Sequence, residues 1–253
     1  MTDRADNLPR FFAEKLSEAD GELTLDDNEA HHAAHVLRLG EGQAVELFDG
    51  RGHAAAGVIT ACKKRQVRLR LTGTVQTHLP PAPALHLAFA VPKGQRLDWL
   101  LEKATELGAA SLEPIQFARS VAGGKGLSAQ KLDRWAARCV AAAKQCGLNH
   151  LPEIRPACGL GDFLAALPAG RWLLGDGRAG TPPLAEALAA EPAPDALGFV
   201  VGPEGGLNDR EHQAVCQAGL RPVRLGPGVL RVETAAVALL AGCRALTDST
   251  QPR

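Results

Sequence analysis

The second half of the chain alternates short, continuous apolar runs with segments of helical period. Apolar runs bounded by glycine or proline are typical of strands buried on both faces of a sheet. Segments with an apolar residue at every third or fourth position are typical of helices packed on that sheet. The alternation predicts an α/β fold with a mainly parallel sheet. The predicted strands are 85–91, 112–117, 171–175, 197–201 and 222–225, and the predicted helices are 97–107, 128–145, one capped by Asn208, and 230–246.

The first part of the chain has short strand-like runs separated by turns, which predicts a small β-barrel. One helix, 28–39, interrupts these runs, and Asn28 is its predicted cap. The stretch His78–Ala84 contains three prolines, which neither a helix nor a central strand accommodates. It is therefore interpreted as a linker between two domains, 1–78 and 79–253. The predicted barrel strands are 44–48, 55–60 and 66–71.

The chain of 253 residues carries 28 basic and 28 acidic residues, so its formal net charge is zero. This balance counts mildly against nucleic acid as a partner, because most nucleic-acid-binding domains are visibly basic. The run from Lys63 to Arg70 is the main concentration of positive charge. Two interpretations stay open for it: a face that contacts phosphates, or a solvated turn leading into a charged edge strand.

The cysteines and histidines do not form a recognisable metal or disulfide pattern. Six cysteines occur without a C-x-x-C pair, which favours a reducing, cytoplasmic setting. No signal peptide and no membrane span are expected, because the start of the chain is polar and no apolar run is long enough. His31 and His35 share one helical face, but no third ligand converges with them, so no metal site is expected.

Two segments with Gly-rich turns carry the strongest functional signal. Gly202–Gly206 follows the apolar run 197–201, and Leu230–Ala235 follows a short strand and a Gly-Pro-Gly turn. Loops at the carboxyl ends of parallel strands are where open α/β sheets bind ligands. Taken alone, the first segment is a weak signal, since it is also typical of a plain turn. A phosphate-binding enzyme is disfavoured because the P-loop lysine and the G-x-G-x-x-G pattern are missing.

Together with further segments in the same order, these motifs resemble one known family. The chain is similar to the bacterial small-subunit ribosomal RNA uridine-N3 methyltransferases, members of the SPOUT superfamily of knotted S-adenosylmethionine (AdoMet) enzymes. The other segments that carry the resemblance are Pro9–Phe12, His35–Leu39, Leu47–Gly50, Glu102–Gly108, Gln145–Gly147 and Pro152–Pro156.

The resemblance implies a PUA-like RNA-binding β-barrel over 1–78 and a SPOUT methyltransferase domain with a deep trefoil knot over 79–253. It implies an AdoMet-dependent enzyme that methylates N3 of a specific uridine in 16S rRNA within the assembled small ribosomal subunit. It also implies a homodimer. Two alternatives stay open: a SPOUT methyltransferase acting on another RNA such as tRNA, and a non-catalytic RNA-binding factor of ribosome assembly.

The resemblance also assigns candidate site residues. Uracil N3 carries a proton at neutral pH, so methylation needs a general base or a cation that stabilises the uracil anion. The candidate catalytic residues are Arg231, Arg119, Glu106 and Arg10. The candidate AdoMet-binding residues are Leu174, Gly175, Gly202, Glu204, Gly205, Leu225, Gly226, Leu230, Arg231, Thr234 and Ala235.

Simpler interpretations stay open for three acidic or basic side chains. Glu106 is spaced to pair with Lys103 one helical turn earlier, Arg119 is also consistent with an ordinary surface arginine, and Glu233 is placed to complement a helix dipole. The chain departs from the family pattern at Ala118, Leu148 and His150. These departures put RNA contacts there in doubt.

Overall fold

A computed structural model describes residues 8–16, 21–63, 66–120, 128–191 and 194–248. The chain forms two compact units, which are described separately below. The first comprises residues 1–80 and 143–151, and the second comprises 81–142 and 152–253. The segment 143–151 thus clusters with the first unit, whereas the sequence-based division leaves it in the second. This placement depends on contacts between residues far apart in the chain, and local sequence patterns do not predict such contacts.

The first unit is β-rich, as predicted, and is built on a six-stranded mixed sheet. The strands lie in the order β1-β3-β4-β5-β2, with β6 paired to β4. β1 runs parallel to β3, and the other described pairs are antiparallel. The strands are β1 (Arg10–Phe12), β2 (Glu22–Thr24), β3 (Ala44–Phe48), β4 (His53–Lys63), β5 (Gln66–Leu71) and β6 (Gln76–Thr77).

The helix of the first unit begins earlier than expected. It consists of α1 (Asp27–His31) and a π-helical turn, His32–Val36. The predicted cap, Asn28, is wrong. Asp26 is the cap, because its carboxylate accepts a hydrogen bond of 2.8 Å from the backbone N–H of Glu29.

Strand β5 lies inside its sheet. It pairs with β4 on one side and with β2 on the other, so the interpretation of an edge strand is wrong. Its side chains alternate: Val67 and Leu69 are buried, while Arg68 and Arg70 are exposed. The two arginines therefore share the solvent face of the sheet. Lys64 and Arg65 of the basic run lie outside the described residues.

The second unit contains a seven-stranded sheet whose described pairs are all parallel. The order is β10-β8-β7-β12-β11-β13, with β9 also paired to β8. This confirms the predicted parallel α/β architecture. The strands are β7 (Ala84–Ala90), β8 (Ala109–Gln116), β9 (Glu153–Ile154), β10 (Cys158–Gly159), β11 (Arg171–Gly175), β12 (Ala196–Val201) and β13 (Arg221–Val223).

Helices follow most of these strands. α6 starts with the predicted capping box, in which Asn208 and Glu211 bond each other's backbone N–H groups. The last helix, α7, packs against α2, β7 and β12. The chain therefore returns from the edge strand β13 to the middle of the sheet. The helices are α2 (Gln95–Glu106), α3 (Ala129–Cys146), α4 (Leu160–Ala165), α5 (Leu184–Ala189), α6 (Asp209–Gln217) and α7 (Val232–Asp248).

The central strands of this sheet form the core of the second unit. Five of the six residues of β12 are buried, as expected for a strand covered on both faces. Gly198 of β12 lies beside Trp172 of β11, and a Cβ at Gly198 would collide with the indole ring. Within the described residues, no helix is long and apolar enough to cross a membrane.

Candidate functional site

Three loops of the second unit meet at one edge of its sheet. β11 lies between β12 and β13, and Gly175 at its end is aligned with Val201 and with Val223. Because all three strands are parallel, the loops that follow them leave from the same edge. These loops carry most of the predicted AdoMet-binding residues, namely Gly202, Glu204, Gly205, Leu225, Gly226 and Leu230. Leu174 and Gly175 lie at the end of β11, and Thr234 and Ala235 lie on the first turn of α7.

Asp176 ties the first loop to its neighbours. Its backbone N–H donates a hydrogen bond of 2.9 Å to the carbonyl of Val223. Its carboxylate lies 2.9 Å from Nε2 of His212 on α6, and it also accepts a bond from the backbone N–H of Arg178. The first loop is thereby fixed to both β13 and α6.

The Gly-rich second loop is held by Arg96 at the start of α2. Arg96 donates a hydrogen bond of 2.8 Å to the carboxylate of Glu204. Both side chains are partly exposed, so the pair contributes only about 0.2–1 kcal/mol to stability. Within the loop, Gly206 has a positive φ of 68° and closes a turn on the carbonyl of Pro203. The pair therefore orients Glu204 more than it stabilises the fold.

Arg119 contacts the same loop from the carboxyl end of β8. Its guanidinium donates a hydrogen bond of 2.7 Å to the carbonyl of Gly205. The preceding backbone N–H, of Ala118, donates to the carboxylate of Glu211, the residue that also completes the capping box of α6. The structure thus brings Arg119 to the predicted AdoMet-binding loop.

Arg231 lies at the end of the third loop, directly before α7. Its side chain is exposed, and its guanidinium has no ion-pair or hydrogen-bond partner in the part of the chain that the structure describes. The neighbouring apolar side chains are also exposed, at 85% for Val229 and 36% for Leu230. The third loop therefore leaves one cation and two apolar side chains accessible to a ligand.

The structure does not bring Glu106 to these loops. α2 starts after the carboxyl end of β7 and finishes before β8 begins, so Glu106 lies near the opposite edge of the sheet. It is about 15 Å along the helix axis from Arg96, at 1.5 Å per residue. Its carboxylate lies 2.8 Å from Nζ of Lys103. The hydrogen bonds that the Lys103 ammonium donates to Glu102 and Glu106 raise the pKa of that ammonium.

Arg10 is engaged inside the first unit. Its Nε lies 2.7 Å from a carboxylate oxygen of Glu46, and its side chain is only 8% exposed. The guanidinium also donates to the carbonyl of Ala143 and to the side chain of Asn149, and it lies over the ring of Phe48. These contacts give Arg10 a packing role in this unit.

A cleft next to the three loops contains residues that the sequence analysis did not select. It has a volume of about 320 Å³ and lies between the first turns of α2 and α7. The sequence does contain one indication of this cleft. Gln95 and Arg96 follow the carboxyl end of the buried strand β7 after a short loop. The lining residues are Gln95, Arg96, Trp99, Glu233 and Thr234.

Comparisons with known proteins agree with this geometry. Residues 80–243 match a family described as the RNA methyltransferase domain, and residues 25–72 match the RNA methyltransferase PUA domain. A protein of Mycobacterium bovis named ribosomal RNA small subunit methyltransferase E is 32% identical over 244 residues, which cover 94% of this chain and 92% of that protein. The chain belongs to this RNA methyltransferase family.

Solved structures of the family have the same fold. A ribosomal RNA small subunit methyltransferase E of Neisseria gonorrhoeae, bound to S-adenosylmethionine, superimposes with a TM-score of 0.83 at 29% identity. A methyltransferase of Legionella pneumophila in complex with the same cofactor gives a TM-score of 0.85, also at 29% identity. Each comparison covers 94% of this chain and 98% of the other. Residues 25–72, which match the RNA methyltransferase PUA domain, lie in the N-terminal unit of this chain.

Proposed function

We propose that this protein is an AdoMet-dependent methyltransferase that methylates N3 of a specific uridine in 16S rRNA. The observation that carries the proposal is the convergence of three loops at the carboxyl edge of the parallel sheet, one of them Gly-rich and bonded to Arg119. Two relatives of the same fold hold S-adenosylmethionine. The family resemblance adds the small-subunit RNA and the uridine N3 position.

The loops suit an adenosine-containing ligand. Such a ligand needs apolar side chains against its ring and free backbone groups for its polar edge and hydroxyls. Leu225 and Leu230 are partly or fully exposed beside the loops. A Cβ at Gly226 would meet no heavy atom within 4 Å, so the space next to its backbone is open. We propose that these loops, with Gly175, Gly202 and Gly205, hold AdoMet.

The chain's own task is to position the base and remove its proton. AdoMet supplies an activated methyl group when bound, so the protein needs in-line placement more than further activation. The Arg119 bond fixes the Gly-rich loop, and the unpaired guanidinium of Arg231 is available to stabilise negative charge on a uracil oxygen. Glu106 is less suited to this role, because its side chain is paired with Lys103 away from the loops. Arg10 is less suited because its guanidinium is already engaged inside the first unit.

The first unit is proposed to bind the RNA. Arg68 and Arg70 share the solvent face of β5, next to Lys63 at the end of β4. Replacing both arginines with glutamine should weaken RNA binding. The slope of log K against log salt concentration should become shallower by the amount expected for about two lost phosphate contacts. Glu41→Gln is the matched control on the same unit. An unchanged slope would leave the solvated-face interpretation of this run.

The resemblance also leads us to propose the knot and the homodimer. The return of α7 from β13 across the sheet is consistent with a threaded C-terminal segment. Exposed Leu246 on α7 and Val229 before it favour an apolar contact with a second copy. Light scattering on the purified protein, with Leu246→Lys as the variant, tests the dimer. The cytoplasm is the proposed location because assembled ribosomal subunits are the proposed substrate.

The substrate is tested with purified protein and labelled AdoMet. Small ribosomal subunits that lack the uridine-N3 methyl group, naked ribosomal RNA and tRNA are offered separately. The proposal expects label on the subunits and little on the other two RNAs. It also expects Arg231→Ala to transfer the methyl group at least about a hundredfold more slowly, which is the lower end of the loss typical for one electrostatic group. Label on tRNA alone would favour the alternative substrate. AdoMet binding without transfer to any RNA would favour the non-catalytic factor.

A further inference from the structure

Glu233 is a buried carboxylate at the edge of the proposed site. It lies on the first turn of α7, two positions after Arg231 and directly before Thr234. The residue is only 7% exposed. Its Oε2 atom is fully buried and has no hydrogen-bond partner among the residues that the structure describes. Glu233 also lines the cleft of about 320 Å³.

Such a placement is costly for a residue with a purely structural role. A buried ionised carboxylate without a partner costs several kcal/mol, and buried polar atoms in folded proteins are almost always hydrogen-bonded. An acid that only complements the dipole of α7 gains about 0.3–1 kcal/mol and needs no burial to do so. A carboxylate that lacks a partner and borders a cleft is therefore suited to accept a hydrogen from a ligand bound there.

The other groups in the cleft suit a flat base with an imide edge. Trp99 is 42% exposed and offers an aromatic face for stacking. The side-chain amide of Gln95 has both a donor and two acceptor lone pairs, which match the alternating C=O and N–H groups of uracil. Arg96 places a cation at the same cleft while its guanidinium holds Glu204 of the Gly-rich loop. The cleft thus lies next to the proposed AdoMet loops.

We propose that Glu233 is the general base that removes the N3 proton of the target uracil, an inference that rests on the proposed function. The N3–H bond breaks, and the proton passes to the carboxylate of Glu233. The electron pair left on N3 forms the new bond to the methyl carbon, while the carbon–sulfur bond breaks and its electrons leave with the sulfur. After product release, the protonated Glu233 returns its proton to solvent. Arg96 offsets the charge that develops on a uracil oxygen.

The test compares three variants on the substrate that wild type methylates. Glu233→Gln keeps the size of the side chain and removes its basicity, whereas Glu233→Asp keeps the carboxylate. The control is Glu186→Gln, which changes an exposed glutamate on α5. AdoMet affinity is measured by calorimetry, and the single-turnover rate is measured across pH. The substrate RNA is the same preparation for all variants, so binding and chemistry are separated.

The proposal expects Glu233→Gln to bind AdoMet like wild type and to react about 10²–10⁴-fold more slowly at neutral pH. Its rate should rise about tenfold per pH unit, because hydroxide must then remove the proton. Glu233→Asp should recover part of the rate with the pH profile of wild type. The inference is overturned if Glu233→Gln keeps the wild-type rate, or loses activity only through AdoMet affinity or unfolding. A wild-type protein that makes no 3-methyluridine overturns the proposed function and the inference together.

Discussion

Arg119 bonds the backbone of the Gly-rich loop directly, and its removal should loosen the proposed AdoMet site. The bond from its guanidinium to the carbonyl of Gly205 is 2.7 Å long. A hydrogen bond from a charged donor is worth about 1.5–3 kcal/mol when buried. Arg119 is exposed, so water replaces part of that bond in the variant, and about 1 kcal/mol is a reasonable loss. Since 1.4 kcal/mol is tenfold in binding, Arg119→Ala should weaken AdoMet binding about fivefold.

The assay is calorimetric titration of AdoMet into Arg119→Ala, Arg119→Lys and a control variant. Lysine keeps the charge but not the planar fork, so Arg119→Lys should fall between wild type and alanine. Arg210→Ala removes an exposed arginine on α6 and should bind like wild type. Unchanged affinity in Arg119→Ala would show that the bond to Gly205 does not shape the AdoMet site. A loss of turnover far beyond the loss of affinity would instead show that Arg119 acts on the substrate.

Two further predictions concern the second unit itself. Gly198→Ala places a Cβ against the Trp172 ring, so overpacking should lower the free energy of unfolding by about 1–3 kcal/mol and Tm by several degrees. The control Gly161→Ala, where the space is open, should raise Tm slightly. Equal Tm values for the two variants in a thermal melt would contradict the packing argument. Burial raises the pKa of Cys139 to about 11, so its thiolate is scarce below that pH, whereas Cys216 is exposed. A thiol reagent at pH 8 should therefore label Cys216 first and Cys139 only after unfolding, and early labelling of Cys139 would contradict this.

Local patterns predict the elements of the second unit well. The apolar run before Gly202 is the buried strand β12, because a strand covered on both faces must be apolar throughout. The capping box of Asn208 and Glu211 is formed as the spacing predicts, since both partners lie within one helical turn. The pairing of Glu106 with Lys103 is equally local.

Contacts between residues far apart in the chain were not predictable in the same way. Arg10 is satisfied by the carbonyl of Ala143, which is 133 positions away. The position of β13 beyond β11 depends on how the whole sheet is ordered. Glu233 looked like an ordinary acid on a first helical turn, because its burial depends on how α7 packs against α2. Even the local cap was missed where two good capping residues, Asp26 and Asn28, compete.

Identification of the methylated nucleoside distinguishes the proposed function from its alternatives. Small ribosomal subunits lacking the uridine-N3 methyl group are incubated with the protein and with AdoMet carrying a deuterated methyl group. The RNA is then digested to nucleosides and analysed by mass spectrometry against synthetic standards. The proposed function predicts deuterated 3-methyluridine at one position of 16S rRNA. Deuterium in any other methylated nucleoside, or in none, would contradict it.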